Sequence, residues 1–183
     1  MLVLTGNEIV CPSGTPGGQA SIINLKEIAN IESRIQDVRI ANPGNAAELL
    51  SCFNIAWLDL AKQIVFLRKE KNDALRHADR VRARIILDEV PNELKKKGLL
   101  STRSPAGSED LRQAVLALDP VHQDALERVD AITAVIELLQ CKATAFDMAY
   151  TSVKKILSGD TQGNFLAKIS PEPKGYNGFG VPR

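Results

Sequence analysis

Lysine and arginine recur through the middle of this 183-residue chain at intervals that place them together in space. Lys62, Lys69, Arg76, Arg80 and Arg84, at about 100° per residue on a helix, all fall within about 40° of one line. Asp73 interrupts the row, and Lys95, Lys96, Lys97 and Arg103 extend the basic region beyond it. From Lys62 to Arg103 there are 12 Lys/Arg against 6 Asp/Glu, a local charge of +6, while the rest of the chain holds 11 against 16, or −5. A row of cations on a rigid helix suits the phosphates of a nucleic-acid backbone, which it would neutralise without reading bases. A solvated helix face fits the same pattern, and Glu70, Asp73 and Asp79 supply partial pairing. Few aromatics interleave the row, which argues against a base-stacking platform there.

Other chemistry finds less support. His77 and His122 have no His or Cys partner at the four-residue spacing of a helical metal site and read as surface or interface side chains. Cys11, Cys52 and Cys141 make neither a metal spacing nor an even disulfide framework. We expect them to be reduced, with Cys52 and Cys141 as small apolar fillers inside helices. Gly14 to Gly18 lacks the lysine and hydroxyl pair of a phosphate loop, and no nucleophile elbow or dinucleotide motif occurs. The expectation is a non-enzymatic protein with no catalytic residue, metal or cofactor.

The elements that must carry the basic row are legible from spacing. Residues 1–20, with Pro12, Gly14, Pro16, Gly17 and Gly18, read as an extended arm, compatible with a short hairpin around Gly6-Asn7. Over 21–41, Ile22, Leu25, Ile28, Ile31 or Ile35 and Val38 mark an amphipathic helix ended by Asn42-Pro43-Gly44. Leu50, Phe53, Trp57, Leu60, Ile64, Leu67, Lys71, Ala74, Ala78, Val81 and Ile85 then alternate three- and four-residue steps, a seam that predicts one helix over 45–89. Lys71, the only polar member, reads as a register-setting residue or as one whose stem runs along the seam.

Pro91 should break that helix, leaving a helical turn at 92–97, a loop at 98–107 and a short helix at 108–118. Asp119-Pro120 supplies a cap and a first-turn proline. Ala125, Val129, Ile132, Ile136, Leu139, Ala143, Phe146, Tyr150, Val153 and Leu157 then repeat the seam down to Ser158-Gly159. The fold expected is all-α: a long antiparallel, coiled-coil-like helical hairpin at 45–158, an N-terminal helix, and extended arms at 1–20 and 159–183. The basic row would face away from the seam, except Arg82, which falls beside it. Leu138, Ala145, Ala149 and Ile156 form a further apolar strip, for the N-terminal helix or for another copy in a homo-oligomer.

With 44% apolar and 4% aromatic residues and no apolar run near the roughly 18 residues that span a bilayer, we expect no membrane segment. Met1 to Val10 lacks the basic region and long apolar stretch of a signal peptide, so a cytosolic location is expected.

Val81-Arg82-Ala83-Arg84-Ile85 resembles the Leu-Lys-Ala-Arg-Leu motif of UvsY-type recombination mediators of T-even-like bacteriophages. That family places the motif late in a long helix and follows it with a charged connector. An Asp-initiated helix with a central cysteine and a basic end comes next, similar to Asp119, Cys141 and Lys154-Lys155 here. The resemblance, over about residues 45–158, implies a ring-shaped homo-oligomer that binds single-stranded DNA. It further implies loading of a RecA-like recombinase in place of a single-strand binding protein, with Arg82 and Arg84 as DNA-binding positions. The alternative is a structural component of a phage particle, located in the virion, whose hairpin is a packing module and whose arms lace into neighbours.

Overall fold

The computed structural model describes residues 3–99 and 108–159, and the protein is predominantly α-helical. Three short strands come first. β1 (Val3–Thr5) and β2 (Glu8–Cys11) pair antiparallel with Thr5 opposite Glu8, which leaves Gly6-Asn7 as a two-residue turn. Gly6 adopts φ +59°, the left-handed conformation that such a tight hairpin turn requires at its first central position. β3 (Ser21–Asn24) adds to the other side of β2 and forms one edge of the sheet. Ile9, Cys11 and Ile23 point into the core from one face.

The helix expected over 21–41 therefore begins later. Pairing with β2 draws Ser21–Asn24 into a strand, and its two-residue period leaves Ile22 68% exposed while burying Ile23. α1 (Lys26–Ser33) follows, with the Asn24 side chain accepting from the Lys26 N–H, and a 3₁₀ segment (Arg34–Ile40) tightens its end. The Asn42-Pro43-Gly44 turn closes on itself: Asn42 Oδ1 accepts from Gly44 N–H and Asn45 Oδ1 from Asn42 N–H, each at 2.8 Å.

α2 (Ala46–Arg84), a π-helical turn (Ile85–Glu89) and α3 (Val90–Lys96) make one continuous helix of 51 residues, about 77 Å long at the usual rise. Pro91 does not break it. Proline lacks an N–H and crowds the carbonyl one turn back. The wide turn ahead of it gives that carbonyl room, and Pro91 sits in the first turn of α3, where its missing donor costs least.

α4 (Glu109–Leu118) is capped by Ser108 Oγ, which accepts from Leu111 N–H. α5 (Pro120–Leu157) is capped by Asp119, which accepts from His122 N–H at 2.8 Å. His122, expected at the surface or at an interface, is buried.

α2 and α5 form the main packing contact and run in opposite directions. Phe53 packs against Phe146 with ring centroids 6.2 Å apart, while Glu70 and Arg128 hold the same loop farther along. Val129, Ile132, Ile136, Leu139, Ala143, Phe146 and Val153 are buried as expected. On α2, however, Leu49 and Ala56 replace Leu50 and Trp57. α1 packs against α2, the 3₁₀ segment packs against α5, and Arg34 at the start of that segment reaches Glu48 and Cys52 in the first turns of α2. Toward the far end the partner changes. Val81, Ile85, Val90 and Leu94 pack with Leu116 of α4 in a second, smaller cluster. The connection at 100–107 and the arm at 159–183, apart from Gly159, lie outside the described residues.

The segment after β2 is no loose arm. Gly14 N–H donates to Glu70 Oε2 at 2.8 Å, Ser13 Oγ donates to the same oxygen at 3.3 Å, and Arg128 donates to the carbonyls of Ser13 and Thr15 at 3.4 Å. The loop thus straddles both long helices. A Cβ on Gly14 would stand 2.1 Å from the Glu70 carbonyl oxygen, so only glycine permits this approach. Gly14→Ala is expected to destabilise the fold by about 2–3 kcal/mol, the range of an overpacking change with backbone as the obstacle. A lower urea midpoint checks this, and an unshifted midpoint refutes it.

Candidate nucleic-acid interface

Each candidate cation is exposed: Lys62, Lys69, Arg76, Arg80, Arg82, Arg84, Lys95, Lys96 and Lys97. Lys62, Lys69, Arg76, Arg80 and Arg84 follow one side of α2, opposite the residues buried against α5, because the helix stays regular from Ala46 to Arg84. Along the axis, steps of four and seven residues separate them by about 6 and 10 Å. Arg103 lies outside the described residues.

Arg82 departs from expectation. The helical spacing puts it beside the seam, yet it is exposed, while Val81 and Ile85 on either side of it in sequence are buried with Leu116 of α4. Its charge helps to hold the Glu109 carboxyl of α4 below the usual range, after a hydrogen bond from Gln113 and the nearer Arg112 guanidinium. Arg84 and Arg82 therefore serve different sides of the rod. Lys95, Lys96 and Lys97 follow the π turn, so their angular position is reset relative to the α2 row.

Part of the row is paired within the chain. Arg76 meets Asp73 at 3.4 Å and Arg84 meets Glu89 at 3.7 Å, both exposed contacts that add little stability. Lys96 binds Glu93 at 2.9 Å, which raises the lysine pKa and lowers that of the carboxyl, by hydrogen bond first and charge second. Among the described residues, Lys62, Lys69, Arg80, Arg82, Lys95 and Lys97 form no ion pair. Lys71, at its seam position, is half-buried.

One aromatic side chain bears on this face that the spacing of charges did not reveal. Phe66 is 48% exposed and, with Lys62, Gln63 and Ile22, lines a cleft of about 330 Å³ between β3 and α2. Trp57, expected in the seam, is 40% exposed on the opposite side of α2, beside Phe146, Asp147 and Tyr150 of α5. A signal for Phe66 existed: it falls between the seam positions 64 and 67. Ile55, Leu58 and Val65 are exposed on the same stretch. The continuous helix contains an 18-residue window of mean hydropathy 1.3 of which only 28% is buried, long and apolar enough by composition to cross a membrane. Its buried members, among them Phe53, Leu60 and Ile64, pack in the core with α5.

The cysteines have separate environments. Burial, and then the Glu70 carboxylate, push the Cys11 thiol up to about 11. Cys52 is half-buried beside Arg34, and Cys141 is exposed rather than a buried filler. Cys141 is therefore expected to react first with a thiol reagent at neutral pH, and Cys11 only on unfolding. Because the folded Cys11 pKa lies above its ordinary 9.0, the protonated thiol's contribution to stability is complete below pH about 9 and falls as pH rises toward 11. Mass mapping of labelled thiols, native and in urea, checks the order. Compared with protein-family models, with characterised proteins and with solved structures, the chain matches none.

Proposed function

We propose that this chain is a non-enzymatic, self-associating protein that binds single-stranded DNA through the backbone, using the outer face of α2. The observation that carries the reading is the exposure of the cations on one unbroken rod: Lys69, Arg76, Arg80 and Arg84 share a face that helix packing leaves to solvent. Fixed spacing on a rigid helix lowers the ordering cost of meeting several phosphates at once. The mediator role, with a RecA-like recombinase and a single-strand binding protein as partners in the host cytoplasm, belongs to the same proposal. It rests on the Val81 to Ile85 resemblance.

A second reading, a structural component of a phage particle, is favoured by the apolar side chains left bare. Ile55, Leu58 and Val65 on α2 and Met148 on α5 suit packing against neighbours. Mass in solution with and without an oligonucleotide separates the two, since only the first forms a complex with it.

Replacing Arg76, Arg80 and Arg84 together with Ala should leave helicity unchanged, because the three are exposed and alanine is at least as good a helix former. Affinity for single-stranded DNA should fall. The slope of log affinity against log salt should become shallower by about 2, at roughly 0.7 for each of three phosphates. Equal affinity and an equal slope for variant and parent would remove the row as a DNA surface.

A further inference from the structure

On the outer face of α2, Ile55, Asp59, Lys62 and Phe66 follow one another at four-, three- and four-residue steps, the spacing of a second helix seam. All four are exposed. Leu58 and Val65 flank the row on one side, and Ile22 of the edge strand β3 flanks Phe66 on the other. With Ile22, Ile55, Leu58, Val65 and Phe66 each about half exposed, the bare apolar area is on the order of 500 Å², at the upper end of what a monomer leaves exposed. That is over half of the roughly 800 Å² one partner brings to a standard interface.

The row is also self-complementary. Positions 55 and 66, like positions 59 and 62, lie symmetrically about the midpoint between Leu60 and Ala61. If a second α2 lies antiparallel across a two-fold axis at that midpoint, Ile55 meets the partner's Phe66 and Asp59 meets the partner's Lys62, twice over. Neither Asp59 nor Lys62 forms an ion pair with another described residue, so each is available for that contact. In that arrangement the cleft between β3 and α2, walled by Ile22 and Phe66, would receive the partner's Ile55.

We propose that α2 docks on α2 of a second copy of this chain in this register, forming an isologous dimer through Ile55, Asp59, Lys62 and Phe66. This deepens the self-association part of the reading above and is independent of its DNA-binding part. It takes Lys62 out of the anion-binding row. Arg76 lies about 23 Å from the two-fold axis at 1.5 Å per residue, so the Arg76, Arg80 and Arg84 rows remain free at opposite ends of the dimer.

The test is made without nucleic acid, on the full chain. Sedimentation at micromolar concentration should show a dimer or a multiple of it. Asp59→Lys alone and Lys62→Asp alone should each weaken association at least about tenfold by setting like charges face to face, and the double variant should restore it. In a Cys52→Ser, Cys141→Ser background, a mixture of Ile55→Cys and Phe66→Cys chains should form a disulfide-linked dimer that neither chain forms alone. Circular dichroism establishes that each variant is folded. Three results overturn the proposal: a monomeric parent, a dimer indifferent to both charge reversals, or an Ile55/Phe66 mixture that does not cross-link. Association with phosphatidylcholine vesicles by a chain that stays monomeric would likewise assign the face to lipid and overturn it. Loss of DNA binding with the dimer intact would count against the reading above and leave this one standing.

Discussion

Two long helices can lie along one another only if each keeps one continuous apolar stripe in register with the other, and the rest of this structure depends on that pairing of α2 with α5. Phe53 against Phe146 near one end, and Leu60, Ile64 and Leu67 with Val129, Ile132 and Ile136 along it, make one continuous core between the two helices. Aromatics are too few to build a core any other way. Because the stripe occupies one side of α2, the opposite side is left to water or to a partner, and that is where the basic row and the Ile55 to Phe66 row stand.

The N-terminal segment acts on this pairing as a clamp. β2 and β3 place Ile9, Cys11 and Ile23 in the same core, and the loop after β2 binds Glu70 of α2 and Arg128 of α5 within a few residues. Those backbone contacts tie the relative position of the two helices to hydrogen bonds that a slipped register would break. A glycine at position 14 is required because the loop backbone meets the helix backbone there with no space for a side chain. Charge and apolar burial are coupled in the same place, since burial first, and then the Glu70 carboxylate that accepts from the loop, raises the Cys11 thiol pKa.

Beyond the N-terminal end of α5, α4 takes over as the partner of the long helix. Val81 and Ile85 pack with Leu116 of α4, Arg82 between them in sequence is exposed, and the π turn before Pro91 lets the rod continue to Lys96. Basic residues that a broken helix would have scattered are thereby held on one body, although the π turn resets the direction of the last three lysines. The outer face divides along its length: its first half mixes apolar side chains with the opposite charges Asp59 and Lys62, and its second half is dominated by arginine. Association of copies and contact with an anionic strand are thus served by different turns of one helix.

Local signals determined much of this on their own. The three- and four-residue steps identified both long helices, Asp119-Pro120 and Ser108 set the starts of α5 and α4, and the placement of Arg76, Arg80 and Arg84 opposite the seam followed from the period alone. Each depends on residues within a turn or two of one another, which is why sequence suffices. The tertiary structure decided what depended on distant partners. Ser21–Asn24 is a strand because residues 8–11 pair with it, although its apolar spacing also fits a helix. Leu49 and Ala56 are buried in place of Leu50 and Trp57, in a core that α1 shares with α2 and α5. Arg82 is exposed although its spacing puts it beside the seam, and it stands near Glu109 of α4. Phe66 became part of a cleft only when β3 was set beside it. Helical spacing names the side of a helix that can be buried, but which elements arrive to cover it, and from what angle, is fixed by contacts between residues far apart in the chain.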